Sequence, residues 1–255
     1  MEYRFDRIVH DLKVSQCNTI PKVSNSRNLM QYLASLTISG IDAAKFLQGY
    51  VTCDLDMIQP REGLPTALTE IKGRVIANGW CYGTPTEVSF VFHQSLVETV
   101  KNHLGRYIAF AKSEFSEETT ELGLAVAASE GKVVLAPFGW GIVPATNADN
   151  QLTHLTVTNE FPIIQDNTSG LFLPQMLNLT QHGAVSFTKG CYLGQEIVAR
   201  TEHLGQVKRQ LFRTNRPTDP VSVGASIEVA DRGKCMVVGV DNDQVLLVGR
   251  RSKST

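Results

Sequence analysis

The segment with the clearest chemical pattern is Lys189-Gly190-Cys191-Tyr192-Leu193-Gly194-Gln195-Glu196. It places a single thiol between two glycines, next to a lysine and just ahead of a predicted helix. A neighbouring cation or a helix N-terminus favours the thiolate, the form of cysteine that reacts and binds soft metals. The pattern therefore indicates a functional cysteine. The alternative is a buried structural cysteine beside a glycine turn, because cysteine is among the most buried residue types.

Length and composition indicate a folded protein of about two domains. The chain has 255 residues, of which 42% are hydrophobic and 19% are charged, values typical of globular proteins. Its 24 Lys and Arg residues nearly balance its 25 Asp and Glu residues, which gives a net charge of -1. Since no overall field attracts a polyanion, we expect no direct nucleic-acid partner.

The N-terminal residues and the apolar segments bear on location. Glu2, Arg4, Asp6 and Arg7 lie within a start that includes no apolar segment resembling a secretory signal. The longest apolar stretches are far shorter than the roughly 20 residues that a membrane-spanning helix needs. We therefore expect a cytoplasmic protein without a membrane partner.

The cysteines and histidines argue against a resident metal. The five cysteines include no C-x-x-C pair: Cys17, Cys53, Cys81, Cys191 and Cys235. This spacing disfavours a disulfide framework, a zinc ribbon and a self-ligated iron–sulfur cluster. The histidines lie far apart in the sequence, so no stably bound metal is expected. Motifs typical of Rossmann, P-loop and G-x-S-x-G sites are absent from the sequence as well.

Hydrophobic periodicity predicts strands and helices in the first part of the chain. Residues 32–38 are predicted as a strand, and Ser39-Gly40-Ile41-Asp42 has the pattern of a capping box that opens a helix. Residues 65–71 and 74–82 form two strand-like runs joined by a glycine-containing turn, which predicts a hairpin. Residues 86–92 alternate as a strand does, and the next apolar positions follow helical spacing to Leu104.

The second part of the chain is predicted to be rich in strands. Strands are expected at residues 108–115, 122–128, 132–136 and 152–157. The polar residues 116–121 indicate either a domain linker or a solvated turn. From residue 207 onward the pattern is one of short strands, which indicates a small all-β module, either a barrel or a sandwich. Helices between hairpin-paired strands favour an α+β fold.

Residues 189–200 resemble the signature of the YgfZ family. Three further segments are similar to that family, namely residues 40–49, 70–74 and 169–179, so the resemblance covers roughly residues 30–250. Members of the family are folate-binding proteins that assist the assembly or repair of iron–sulfur clusters. They are related to the glycine cleavage T protein, an aminomethyltransferase.

The resemblance implies a fold and a division into modules. It implies an α+β fold like that of the glycine cleavage T protein, with two ferredoxin-like α+β modules around a central channel and a small C-terminal β-barrel. The expected modules are residues 1–118, residues 119–204, which carry the cysteine motif, and residues 205–255.

The resemblance also implies a function and partners. We expect a folate-binding protein that assists assembly or repair of iron–sulfur clusters and affects tRNA modification indirectly, through iron–sulfur enzymes. The implied cofactor is tetrahydrofolate or a derivative. The implied partners are iron–sulfur proteins or their assembly machinery.

The site residues follow from the motif. Cys191 is expected to be the functional thiol. The residues expected to support the turn that presents it are Lys189, Gly190, Tyr192, Gly194, Gln195, Glu196 and Arg200. The residues considered for folate contacts are Tyr50, Lys72, Phe172 and Tyr192. For the aromatic residues in this set, core packing is the alternative.

One departure from the related aminomethyltransferases concerns a carboxylate. Those enzymes carry an acidic residue just after the hairpin, where this chain has Val75-Ile76-Ala77-Asn78. Proton transfer or stabilisation of a cationic intermediate needs a base or an anion within reach. The alternative function, a tetrahydrofolate-dependent aminomethyl or other one-carbon transferase, is therefore less favoured. A binding module with a structural cysteine and no chemistry is a third possibility.

Basic residues are frequent near and after the cysteine: Lys189, Arg200, Lys208, Arg209, Arg213 and Arg216. Such a patch is able to receive the polyglutamate tail of a folate or a phosphate-bearing partner. The alternative is a solvated face that is balanced by Glu196, Glu202 and Asp219.

Overall fold

The computed structural model of the chain describes residues 32–205 and 207–251. The predictions that concern residues 1–31, including Cys17, lie outside this part. The mixed α+β architecture that the sequence predicts is confirmed. The longest helix of the described part has 12 residues, and every helix there is too short or too polar to span a lipid bilayer.

Seven strands form one closed sheet. They are β1 (Leu33–Gly40), β2 (Glu62–Thr69), β3 (Val75–Thr84), β4 (Glu87–His93), β5 (Ser113–Ala125), β6 (Val134–Leu135) and β7 (Trp140–Pro144). Their order around the sheet is β1-β4-β3-β2-β6-β7-β5, and pairing of β5 with β1 closes it. The described neighbours are antiparallel except for the pair β2 and β6.

Four helices and several short 3-10 turns connect the strands. The helices are α1 (Ala43–Gln48), α2 (Val97–Ile108), α3 (Leu152–Thr158) and α4 (Gln195–His203). The 3-10 turns are Leu55–Met57, Gln94–Leu96, Asp166–Thr168 and Pro174–Leu177. Helix α1 follows β1, and α4 follows the loop that carries the cysteine motif.

A second, open sheet lies at the C-terminal end of the described chain. It contains β8 (Arg209–Asn215), β9 (Ser226–Val229), β10 (Gly233–Val240) and β11 (Gln244–Arg250), in the antiparallel order β8-β11-β10-β9. One set of its side chains packs into the main core: Leu211, Val238, Leu246 and Val248. Another set forms a separate cluster: Ile227, Cys235, Val237, Val245 and Leu247. The all-β module is confirmed as a four-stranded sheet, whereas a closed C-terminal barrel is not seen in residues 207–251.

The predicted hairpin is confirmed as β2 and β3. Its turn is closed by hydrogen bonds from the Glu70 amide to the Arg74 carbonyl and from the Gly73 amide to the Glu70 carbonyl. Gly73 has a φ of 71°, a left-handed conformation that favours glycine because other residues carry a Cβ. The short turn fixes the position of Glu70 and Gly73 against the start of α4.

The predicted helix before residue 108 is also confirmed, but the strand after it starts later than predicted. Helix α2 buries Val97, Val100 and Leu104 on one face. The helix continues to Ile108, and β5 begins only at Ser113. The prediction of a strand over residues 108–115 was therefore wrong for residues 108–112, because Ile108 ends the helix and residues 109–112 form a turn.

The polar residues 116–121 are neither a linker nor a turn. They lie within β5, where Glu118 is paired with Leu36 and Glu117 with Thr37 of β1. Their side chains are exposed while their backbone remains in the ladder, so the polar composition reflects an outward-facing strand. The predicted module boundary between residues 118 and 119 falls inside this strand and does not interrupt the sheet.

Two local predictions were wrong. Residues 152–157 form α3 rather than a strand, with Leu152, Leu155 and Val157 buried. The capping box at residues 39–42 is not formed either, because Ser39 belongs to β1 and the Asp42 side chain makes no capping hydrogen bond. Residues 152–157 are a short apolar run, and such a run does not distinguish helix from strand by periodicity alone.

Candidate functional site

The cysteine motif forms a loop that runs directly into α4. Gly194 precedes the first residue of the helix and has a φ of 88°. A Cβ atom at this position would collide with the carbonyl oxygen of Glu70 and lie 2.8 Å from the Cα of Gly73. Only glycine therefore fits between the motif and the β2–β3 turn. A Cβ at Gly190 would meet open space, so that glycine has no comparable steric requirement.

Lys189 links the loop by hydrogen bonds to the end of α1 and the segment that follows it. Its Nζ donates to the carbonyl oxygens of Gln48, Val51 and Cys53, at 2.8, 2.9 and 2.7 Å. The side chain is buried, and burial lowers the pKa of its ammonium group although Cys53 and Asp54 act in the opposite direction. All three donors of the ammonium are used, so Lys189 positions the loop and does not present its charge to a ligand.

The other end of the loop is fixed by backbone hydrogen bonds. The Leu193 amide donates to the Gly49 carbonyl at 2.9 Å, and the Thr69 hydroxyl donates to the Leu193 carbonyl at 2.6 Å. Cys191 lies between these anchors and Lys189, and it is exposed. The structure therefore presents this thiol on a loop that is held at both ends.

Cys191 borders a surface cleft with an aromatic wall. The cleft has a volume of about 560 Å³. It is lined by Phe46, Gly49, Tyr50, Tyr107, Phe110, Ala111, Cys191, Tyr192 and Leu193. The Tyr50 and Tyr107 rings stack with centroids 4.9 Å apart, and Phe46 lies 5.1 Å from Tyr50. The cleft thus places a thiol next to flat apolar surfaces.

The structure brings together only some of the residues predicted for the site. Tyr50 and Tyr192 line the cleft with Cys191. Phe172 is 1% exposed and packs in the main core, so it follows the alternative of core packing rather than folate contact. Lys72 is exposed on the β2–β3 turn and does not line the cleft.

The remaining motif residues serve the start of α4. The Gln195 amide donates to the Tyr192 carbonyl at 3.1 Å. Glu196 and Arg200 form an exposed ion pair of 2.6 Å one turn apart on the helix, a contact of small energetic value in water. These residues shape the helix, whereas Cys191 and Tyr192 face the cleft.

Tyr192 carries an unpartnered polar atom at this site. Its side chain is 5% exposed, and its hydroxyl makes no hydrogen bond within the described part of the chain. Burial raises the pKa of the Tyr192 phenol, so the hydroxyl stays protonated. An unpaired buried hydroxyl is costly, and a bound polar group would remove that cost.

Sequence reasoning missed the part of the cleft that α2 supplies. Tyr107 lies in the last turn of that helix, and Phe110 follows it with 91% of its surface exposed. An exposed aromatic residue after a helix is a weak sequence signal. The proximity of these rings to Cys191 depends on how α2 packs beside α1.

Two further thiols lie in the interior behind the loop. Cys53 and Cys81 are both buried, and burial raises the pKa of the Cys81 thiol. The Cys53 amide donates to the Thr66 hydroxyl at 3.1 Å. Access from solvent therefore distinguishes Cys191 from these cysteines.

Asn78 occupies the place where the aminomethyltransferases were expected to carry an acidic residue. It is fully buried. Its amide nitrogen donates to the Pro162 carbonyl at 2.9 Å, and its amide oxygen accepts from the Ile164 amide at 2.8 Å. Both ends of the amide form hydrogen bonds that link β3 to residues 162–164, so Asn78 supplies neither a base nor a negative charge.

The described residues offer no preformed metal centre. No group of three or more His, Cys, Asp or Glu side chains is clustered in residues 32–205 and 207–251 in a way that could hold a metal ion. A single thiolate cannot complete the coordination of a transition metal. Any contact of Cys191 with a metal or cluster would therefore need ligands from outside the described residues.

No protein-family profile matches the chain. Curated proteins named tRNA-modifying protein YgfZ are similar to it. The protein from Yersinia pseudotuberculosis is 28% identical over 222 residues, which covers 70% of this chain and 67% of that protein. The protein from Colwellia psychrerythraea is 29% identical over 222 residues, with 71% and 68% covered. These relatives confirm the resemblance to YgfZ proteins that the cysteine motif predicted.

A solved structure shows the same type of fold. The crystal structure of glycine cleavage system aminomethyltransferase T from Bartonella henselae superposes with a TM-score of 0.62 and covers 86% of this chain and 76% of that chain. The two sequences are 10% identical, so the likeness concerns the fold alone. The prediction of a fold resembling the glycine cleavage T protein is confirmed at this level.

Proposed function

We propose that this chain is a cytoplasmic folate-binding protein that assists the assembly or repair of iron–sulfur clusters, with Cys191 as its functional thiol. Its effect on tRNA modification would be indirect, through iron–sulfur enzymes. The observation that carries the proposal is the exposed Cys191 thiol on a fixed loop at the edge of an aromatic cleft. The name of the relatives, tRNA-modifying protein YgfZ, supports the connection with tRNA.

The cleft fits a tetrahydrofolate derivative in size and chemistry. Its volume of about 560 Å³ lies within the range of about 300–1,000 Å³ that is usual for small-molecule sites. The Tyr50 and Tyr107 rings offer flat faces for a planar ring system, and the buried Tyr192 hydroxyl, which has no partner among the described residues, would gain a hydrogen bond from a ligand group that reaches it. When bound, such a cofactor would supply one-carbon chemistry next to the thiol.

The proposed role of Cys191 follows from its exposure and from the lack of nearby metal ligands among residues 32–205 and 207–251. Its thiolate is able to contact iron or sulfur of a client only transiently, because the partner must complete the coordination shell. Iron–sulfur proteins or their assembly machinery are therefore the proposed partners. Lys189 and Gly194 hold the loop in place while the thiol reacts.

The fold also suits the alternative function, a tetrahydrofolate-dependent aminomethyl transferase. Asn78 argues against it, because both ends of its side chain are engaged with backbone groups and carry no charge. Turnover of a one-carbon donor by the purified protein would favour the transferase over the assembly factor.

The central test uses Cys191→Ser in a strain that lacks the gene. We expect the variant to fold, as judged by circular dichroism, and to restore little iron–sulfur enzyme activity. Thr188→Ala is the control, since Thr188 is exposed three residues earlier and does not line the cleft. Full restoration by Cys191→Ser would refute the assigned role of the thiol.

A second test addresses folate binding directly. Titration of the purified protein with tetrahydrofolate should show binding that Tyr50→Ala weakens by about tenfold or more, since loss of an aromatic anchor typically costs more than 1 kcal/mol. Lys72→Ala should leave the affinity unchanged, because Lys72 lies outside the cleft. Equal affinity of the wild type and Tyr50→Ala would place folate elsewhere.

A further inference from the structure

The basic residues near the cysteine motif are of two kinds: some side chains form hydrogen bonds or ion pairs with described residues, and others form neither. The engaged side chains are Lys189, which is bonded to three carbonyls, Arg200, paired with Glu196, and Arg213, bonded to the Thr158 carbonyl. By contrast, Lys208 and Arg209 form neither an ion pair nor a side-chain hydrogen bond with another described residue. The unengaged charge is thus concentrated at the start of β8.

Further cations lie at the same corner of the C-terminal sheet. Arg250 is directly opposite Arg209 in the β8–β11 pairing, and the Arg251 amide donates to the Lys208 carbonyl at 3.1 Å. Arg232 reaches the Arg250 carbonyl at 3.2 Å. Like charges directly opposite each other on paired strands are unfavourable, so this arrangement has an electrostatic cost that a bound anion would remove.

Two of these cations, Arg209 and Arg251, line a polar cleft between this sheet and the end of α4. The cleft has a volume of about 420 Å³. It is lined by Gln175, Asn178, Thr180, Gln181, Thr201, Glu202, Gly205, Val207, Arg209, Gln210, Leu211 and Arg251. No aromatic residue is among these lining residues. The cleft is therefore unsuited to stacking a nucleobase or a pterin, in contrast to the cleft beside Cys191.

The opposite wall of this cleft offers hydrogen-bond acceptors. The amide nitrogen of Gln175 donates to the Val198 carbonyl and to the Glu202 carboxylate, at 2.8 and 3.1 Å. Its amide oxygen is buried and has no partner in the described part. The C-terminal end of α4 adds backbone carbonyls there, since the last carbonyls of a helix have no partner within the helix.

A ligand that matches both walls must carry anionic groups and N–H donors together. Carboxylates would pair with the guanidinium groups of Arg209 and Arg251, while amide N–H groups would donate to the Glu202 carboxylate and to the last carbonyls of α4. A phosphodiester backbone offers mainly acceptors, so it would leave the Glu202 carboxylate without a donor from the ligand. We infer that this cleft binds an extended acidic ligand whose carboxylates are joined by amide groups, that is, a short oligoglutamate chain.

The inference does not depend on folate binding beside Cys191, because the two clefts share no lining residue. Oligoglutamate has two sources, an acidic protein segment with α-linked residues and a folate tail with γ-linked residues. The experiment therefore uses both linkages. Fluorescence anisotropy of dye-labelled hexa-α-glutamate and hexa-γ-glutamate with the whole protein at low salt gives the two affinities.

We expect at least one of the two chains to bind, with an affinity that falls as salt is raised. Arg209→Ala/Arg251→Ala should weaken binding by about tenfold or more, because two charge-assisted contacts are lost. Arg216→Ala is the control: its guanidinium contacts the Asp241 carbonyl outside the cleft, and binding should be unchanged. Cys191→Ser should bind like the wild type, which separates this result from the proposed function.

Three results would overturn the inference. The first is that neither chain binds to the wild type at low salt. The second is that the double arginine variant, shown to be folded by circular dichroism, binds as tightly as the wild type. The third is that an oligouridylate of equal charge binds more tightly than both glutamate chains through the same arginines, which would identify the cleft as a phosphate site.

Discussion

The ammonium nitrogen of Lys189 lies 2.7 Å from the carbonyl oxygen of Cys53, although the two residues are 136 positions apart in the sequence. Together with the bonds to Gln48 and Val51, this contact joins the loop of the cysteine motif to the segment after α1. The same segment carries Tyr50, which forms the aromatic wall of the cleft. Lys189 thus sets the distance between the thiol and that wall.

Lys189→Met should destabilise the protein by about 2–4 kcal/mol, because three buried carbonyls lose a charged donor. Urea denaturation measures the free energy of unfolding. Lys72→Met is the control, since Lys72 is exposed, and it should change that free energy by less than about 0.5 kcal/mol. A Lys189→Met variant as stable as the wild type would show that these hydrogen bonds contribute nothing net.

The two glycines that flank Cys191 should respond differently to substitution. Gly194→Ala should destabilise the protein by about 1–3 kcal/mol, because the left-handed backbone and the contact with the β2–β3 turn both disfavour a Cβ. Gly190→Ala should lie within about 0.5 kcal/mol of the wild type, since its Cβ meets open space. Thermal unfolding of both variants makes the comparison, and equal effects would contradict it.

Asn78→Asp should be destabilising and should not create a transferase. The new carboxylate would face the Pro162 carbonyl without a donor, in a fully buried position. We expect a loss of about 2–4 kcal/mol, measured by chemical denaturation. Asn102→Asp on the exposed face of α2 is the matched control. Aminomethyl transfer by Asn78→Asp would show that the missing carboxylate alone separates this chain from the enzymes.

Stability should fall as the pH is lowered from about 6.5 to about 4, in part because of His93. Burial lowers the pKa of His93 to about 4 from its usual 6.5, so the unfolded state binds a proton in this range while the folded state does not. A difference of one pKa unit corresponds to about 1.4 kcal/mol, so protonation of the unfolded state lowers the free energy of unfolding by about 3 kcal/mol between pH 6.5 and pH 4. Above pH 6.5 His93 is neutral in both states, so it does not make the free energy of unfolding depend on pH there.

His93→Asn isolates that contribution. The Asn side-chain oxygen is able to replace the His93 Nδ1 as acceptor for the Ser95 amide, and it does not titrate. The decline in unfolding free energy between pH 6.5 and pH 4 should therefore be smaller in the variant. An identical pH dependence in both proteins would contradict the assignment to His93.

The sequence predicted those parts of the fold that local patterns determine. The turn at Lys72-Gly73 and the buried face of α2 follow from short-range signals, and both are observed. Leu152 and Val157 were misread because a short run of Leu, Thr and Val suits a strand as well as a helix. Whether it becomes a helix depends on the core onto which it packs.

Only the part of the candidate site that lies within one short segment of the sequence was predictable. Cys191 was identified from its flanking residues, and its exposure agrees with that expectation. The carbonyl partners of Lys189 and the contact of Gly194 with Glu70 were not predictable, because they join segments far apart in the chain. The same holds for Tyr107, whose place beside Tyr50 follows from the packing of two helices.

The closure of the main sheet by β1 and β5 has a consequence for how the protein is made. Strand β1, the first strand of the described residues, can pair with β5 only after residue 125 has been synthesised, and the closed sheet is complete only with Pro144. Until β5 is available, one edge of β1 is unpaired and can add another strand. Synthesis of residues 33–125 is thus the interval in which this edge is open to aggregation.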